Sequence, residues 1–71
     1  MKVLTAPPDV ATIYNNLGIA CWKSGDKAKA VECMTKAVAI AERTLGKDHP
    51  NTKQFVSNLD YMKKRSGKQH R

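Results

Sequence analysis

The stretch 14–18, Tyr-Asn-Asn-Leu-Gly, constrains the fold more than any other part of the chain. It sets an aromatic, a Leu and a Gly at spacings that let two helices meet closely. It also turns two Asn side chains away from that contact. The apolar residues around it recur with a helical period. Val10, Ile13, Tyr14, Leu17, Ala20 and Cys21 fall at i, i+3, i+4 and i+7, so a first helix is predicted over 10–23 with these on one apolar face.

Local signals mark where the helices start and stop. Pro7 and Pro8 set an extended lead-in, and Asp9 suits the free N–H groups of a helix start. Ser24-Gly25 closes the first helix, because Gly accepts a left-handed backbone, and Asp26 caps the next. The second helix is predicted over 27–45. It has one stripe of Ala28, Val31, Met34, Val38, Ala41 and Leu45 and another of Ala30, Cys33, Ala37 and Ile40. So wide an apolar arc implies two neighbours, and its many alanines let helix axes approach. Gly46 ends it, and 47–50 form a turn. A third helix is predicted over 51–65, with Phe55, Val56, Leu59 and Met62 inward. The domain then comprises 9–65, preceded by an extended segment 1–8 and followed by a basic, disordered tail 66–71.

Composition narrows the function classes. Seventy-one residues make one domain with a thin core. No apolar run approaches the roughly 18 residues of a membrane span. The opening MKVLTAPPD lacks the apolar core of a secretory signal, so a soluble, cytoplasmic chain is expected. The net charge of +7 is uneven: Lys63, Lys64, Arg65, Lys68 and Arg71 follow Tyr61 with no acid among them. Such a tail is ordinarily solvated. With no aromatic interleaved after Tyr61, contact of the tail with nucleic acid or an anionic surface ranks below that solvated reading, and below a protein partner because the repeat signals lie elsewhere in the chain. Cys21 and Cys33 read as reduced packing residues, and His49 and His70 have no ligand-like neighbours, so no metal site is expected. No catalytic constellation and no phosphate loop appear. Neither an enzyme nor a bound cofactor is expected.

The chain also repeats itself. Aligning Asn16-Leu17 with Asn58-Leu59 superposes Pro8 on Pro50, Ile13 on Phe55 and Tyr14 on Val56, at an offset of 42 residues. Tyr14, Leu17, Gly18, Cys21, Ala30 and Met34 follow the tetratricopeptide pattern, with Ala37 after them. The stretch YNNLGIACWKSGDKAKAVECMTKAVAIAERTLGKDHPNT more closely resembles the long repeats of kinesin light chains, whose extended second helix ends in a Leu-Gly-x-x-His-Pro-like turn. The resemblance implies an all-α fold: one helix-turn-helix hairpin over 9–50, and a half repeat over 51–65 acting as a capping helix. Asp60 and Lys63 stand at the places of Gly18 and Cys21, which suits a polar outer face. Val3 and Leu4 could cover only a little of the first helix. The chain is therefore expected either to form a homo-oligomer through its open N-terminal end or to belong to a longer array.

By the same resemblance, one face of the first and third helices lines a groove that binds a protein or peptide. The positions are Thr12, Asn15, Asn16, Ile19, Trp22 and Lys23, then Gln54, Ser57, Asn58, Tyr61, Lys64 and Arg65. An amide offers both donor and acceptor to an extended peptide backbone. Lys23, Lys64 and Arg65 favour an acidic ligand. Two readings stand for Asn16 and Asn58: ligand contact, or a bond to a neighbouring side chain or water. Two also stand for Trp22: a binding anchor, or a cover for the helix end or an oligomer contact. The alternative function is a self-assembling structural unit, or a segment of a longer solenoid, whose groove holds no ligand.

Overall fold

The computed structural model describes residues 10–67. Three helices follow one another: α1 (Val10–Lys23), α2 (Lys27–Thr44) and α3 (Pro50–Gly67). The bounds of α1 are those predicted. The second helix stops one residue earlier than predicted, and the third gains a residue at its start and two at its end. The expected lead-in through Pro7-Pro8, the Asp9 cap, the cover by Val3 and Leu4, and Lys68, His70 and Arg71 lie outside the described residues.

The two turns are built by the residues that punctuate the sequence. Gly25 adopts φ 97° and Gly46 φ 92°, a region that a side chain would strain. After α1, the Asp26 N–H reaches back to Cys21 O at 2.9 Å. The Asp26 carboxylate then accepts from Lys29 N at 3.2 Å, which satisfies one free donor of α2. After α2, Leu45 N and Gly46 N both donate to Ala41 O, at 2.8 and 3.2 Å. His49 supplies the next cap, with Asn51 N donating to its Nδ1 at 3.0 Å. Pro50 follows at the first helical position, where its missing N–H costs nothing.

α2 packs against both of the other helices. The core is Ala11 from α1, Ala30, Met34, Ala37 and Ala41 from α2, and Phe55 and Met62 from α3. The close crossing expected at Gly18 and Ala30 is present. A Cβ built on Gly18 would lie 3.2 Å from Ala30 O and 3.3 Å from Met34 Cε. Thr52 is fully buried at the α2–α3 contact, and its Oγ1 makes a long hydrogen bond, 3.5 Å, to Ala41 O.

Some residues face other than expected. The single apolar face assigned to the first helix divides in two. Tyr14 and Cys21 turn inward and are half-buried, while Val10, Ile13, Leu17 and Ala20 turn outward. The side of α1 that meets α2 is instead the line Ala11, Tyr14, Gly18 and Cys21. The reason is steric: Gly18 is the place where α2 comes closest, and it fixes the rotation of α1 about its axis. Val56 and Ala28, both expected inward, are exposed. Leu59 is half-buried against the core, and Asp60 and Lys63 face outward as a capping helix requires.

Candidate peptide groove

α1 and α3 lie side by side on one face of α2, and the trough between them is tied across by amides. Asn58 Nδ2 donates to Asn15 Oδ1 at 3.2 Å, and Gln54 Nε2 donates to Asn58 Oδ1 at 3.5 Å. The residues that fix this register are the core residues beside the two amides. Asn58 sits one residue before Leu59, and Leu59 packs on the core. Asn15 sits one residue after Tyr14, which does the same.

One helical turn further along, the trough opens into a pocket of about 190 Å³. Its lining is Ile19, Trp22, Lys23, Asn58, Tyr61 and Met62. Met62 is buried and forms the floor, while Tyr61 stands half-exposed as a wall. The Trp22 and Tyr61 rings approach with centroids 6.0 Å apart at an interplanar angle of 57°. That tilted arrangement is a favourable one for two aromatic quadrupoles. A cation flanks each ring. Lys27 Nζ lies 5.0 Å from the Trp22 centroid, and Arg65 Cζ lies 5.0 Å from that of Tyr61. The pocket is thus apolar inside, with Lys23, Lys27 and Arg65 around its rim.

Size limits what the pocket can hold. A cavity of about 150 Å³ accommodates a benzene ring, whereas sites for drug-sized ligands begin at roughly 300 Å³. That volume matches one apolar side chain. Among the described residues no group of His, Cys, Asp and Glu could hold a metal ion. The Cys33 thiol is buried beneath α1, and burial, followed by the neighbouring Cys21, pushes its pKa above the ordinary value. A thiol held neutral in this way is a packing residue and a poor nucleophile.

The positions expected from sequence divide three ways. Ile19, Trp22, Lys23, Asn58 and Tyr61 converge on the pocket. Asn15, Gln54 and Arg65 border it through the amide strap and the Tyr61 face. Thr12, Asn16, Ser57 and Lys64 do not line it. Asn16 is exposed and takes part in none of the side-chain hydrogen bonds among the described residues, whereas Asn58 bonds to its neighbours Asn15 and Gln54. Two contributors were missed. Met62 was assigned only to the core, and Lys27 only to a helix start. Lys27 lies five residues beyond Trp22 across the Gly25 turn, a spacing at which the turn brings the two together.

With this geometry in view, comparison with known proteins identifies the repeat. A family profile described as tetratricopeptide repeat matches residues 10–51. The chain belongs to the tetratricopeptide repeat family. The match covers α1, α2 and the turn into α3. Curated relatives carry the name clustered mitochondria protein homolog. That of Ajellomyces capsulatus is 36% identical over 63 residues, and those of Aspergillus niger and Aspergillus oryzae are each 38% identical over 60 residues. These alignments cover 89%, 84% and 84% of the chain respectively. The chain spans about 5% of the length of each relative. No solved structure matches it significantly. Repeats of this family mediate protein–protein interactions. Among the described residues no helix is long and apolar enough to cross a membrane.

Proposed function

We propose that the chain holds an extended segment of a protein partner in the trough between α1 and α3. One apolar side chain of the ligand enters the pocket against Trp22, Tyr61 and Met62. Carboxylates beside that anchor face Lys23, Lys27 and Arg65. The amides of Asn15, Asn16 and Asn58 meet the ligand backbone, with the Asn58–Asn15 bond exchanged for bonds to the peptide. Residues 9–50 act as one repeat and 51–65 as the half repeat that closes it. The module binds without catalysing, takes no cofactor, and works in the cytoplasm, where Cys21 and Cys33 stay reduced.

The observation that carries this reading is the pocket itself. It is apolar, sized for one side chain, lined from both helices and rimmed by cations. Charges so placed steer an acidic segment and select against a basic one. The relatives are named for clustered mitochondria, so mitochondrial proteins are the first partners to screen.

Trp22 is the only tryptophan of the chain, so its fluorescence reports the pocket directly. Titration with an acidic peptide carrying one central Leu should shift its emission saturably. The response should weaken when that Leu is replaced by Ser, and again as salt is raised. A saturable interaction that leaves Trp22 emission unchanged, or that survives Tyr61→Ala at full strength, would refute the assignment.

A further inference from the structure

On the side of α1 away from the groove lies a second surface, which goes beyond the peptide reading. Val10, Ile13, Leu17 and Ala20 lie within an arc of about 80° on the helix. The three larger ones are 53%, 49% and 47% exposed. The internal offset of 42 residues pairs them with Thr52, Phe55, Leu59 and Met62. Those are the residues that dock α3 onto α2. Thr52, Phe55 and Met62 are only 1%, 6% and 4% exposed, and Leu59 packs on the core. The same face is therefore covered in one copy of the half repeat and, among the described residues, half-exposed in the other.

Charge narrows what can cover it. From Val10 to Trp22 there is no ionisable Lys, Arg, Asp, Glu or His, in a chain of net charge +7. Two copies of this chain repel over most of their surface, but not over this stripe. A head-to-tail stack would set the stripe against the outward face of α3, which carries Lys53, Asp60 and Lys63, all exposed. Burying those charges unpaired is costly. A two-fold pairing of the stripe with itself buries no charge.

We propose that α1 is the contact of a symmetric dimer of this chain, two copies crossing antiparallel at the level midway between Ile13 and Leu17. Two-fold symmetry sets residue i of one copy opposite residue 30 − i of the other. Val10 then faces Ala20, and Ile13 faces Leu17. Each pair joins a larger to a smaller or similarly sized apolar side chain. The antiparallel crossing keeps the two Lys23 residues at opposite ends and opposes the helix dipoles. Lys36 Nζ, which lies 5.7 Å from the Tyr14 ring, stands at the edge of the stripe. Salt that screens Lys36 and the other bases strengthens this dimer. The groove complex responds in the opposite sense.

A single helix face is smaller than the roughly 800 Å² per partner of a stable complex, so the association is weak. Sedimentation velocity on the full chain from about 10 µM to about 1 mM covers the range. The expected result is a shift from monomer to dimer that moves to lower concentration in added salt. Ile13→Glu and Leu17→Lys each abolish the shift while keeping native helicity, since both sites are half-exposed in the monomer. Mixing the two variants restores it, because the new carboxylate at 13 then meets the new ammonium at 17. A chain that stays monomeric throughout overturns the proposal. So does a dimer unaffected by both substitutions, or a mixture of variants that does not associate. An added peptide copying α2 that binds α1 while the chain remains monomeric would assign the face to a foreign helix instead, and would also overturn it.

Discussion

The Gly18 crossing can be tested by a double-mutant cycle with Met34. Met34 is fully buried, and its Cε lies 3.3 Å from where a Cβ on Gly18 would stand. Met34→Ala removes a buried side chain at a cost of about 2–5 kcal/mol. A chain of 71 residues has in all roughly 4–10 kcal/mol of stability, so the variant is best measured in an osmolyte such as TMAO. Gly18→Ala alone has two opposed effects. It gains up to about 1 kcal/mol in helix propensity, and it crowds Ala30 O at 3.2 Å and Met34 Cε at 3.3 Å. The net result in the native background is a loss. With Met34→Ala already present, the methionine contact is gone and the new methyl occupies part of the space it left. The contact with Ala30 O is the same in both backgrounds and cancels in the cycle. Gly18→Ala should then cost less than in the native background, giving a favourable coupling of about 1 kcal/mol or more. Urea denaturation followed by helix ellipticity, with m unchanged across the four proteins, measures it. Additivity within about 0.3 kcal/mol would refute the contact between Met34 and the Gly18 position.

Other outcomes follow from single contacts. His49→Ala removes the acceptor that caps Asn51 N, and should lower stability by about 0.5–2 kcal/mol in thermal denaturation, with lost amide protection concentrated in the first turn of α3. Asn58→Ala breaks the strap to Asn15 and should cost about 0.5–1.5 kcal/mol in urea denaturation, whereas Asn16→Ala should cost nothing measurable because its amide is exposed. A loss of peptide affinity in Asn16→Ala, read by the same fluorescence titration, would then report ligand contact alone. Cys33 is held neutral in the folded chain by burial, so above the ordinary thiol range of about 8.5 the unfolded chain loses its proton first. Stability should therefore be full below that pH and fall as pH rises through it, and the fall should be smaller in Cys33→Ala when urea midpoints are compared across the alkaline range.

Much of the fold was legible because its signals are local. Gly25, Gly46, Asp26 and Pro50 act through their own backbone geometry, so they marked the ends of the helices to within a residue or two. The crossing at Gly18 and Ala30 was legible because small residues at that spacing have one main use. The rotation of α1 was not. A helical period identifies an apolar arc, but α1 has two arcs side by side, and only the neighbouring helix decides which is covered. Thr52 was passed over for a similar reason. A hydroxyl next to a helix start reads as a surface residue until Ala41 O is found within its reach. At the groove, residues one helical turn apart on α1 and α3 were legible from the repeat. Lys27 was not, because its place over Trp22 depends on side-chain reach across a turn. Whether Asn58 faced a ligand or a neighbour also depended on distance. The 3.2 Å bond to Asn15 shows how the amide is engaged in the free chain.

Amide shift mapping of the full chain with an acidic, leucine-containing peptide tests the groove most directly. Shifts that saturate together at Ile19, Trp22, Lys23, Asn58 and Tyr61, while Val10, Ile13 and the outer side of α2 stay still, are the expected pattern. Saturable shifts confined to the outer side of α2, or to the exposed stripe of α1, would contradict it.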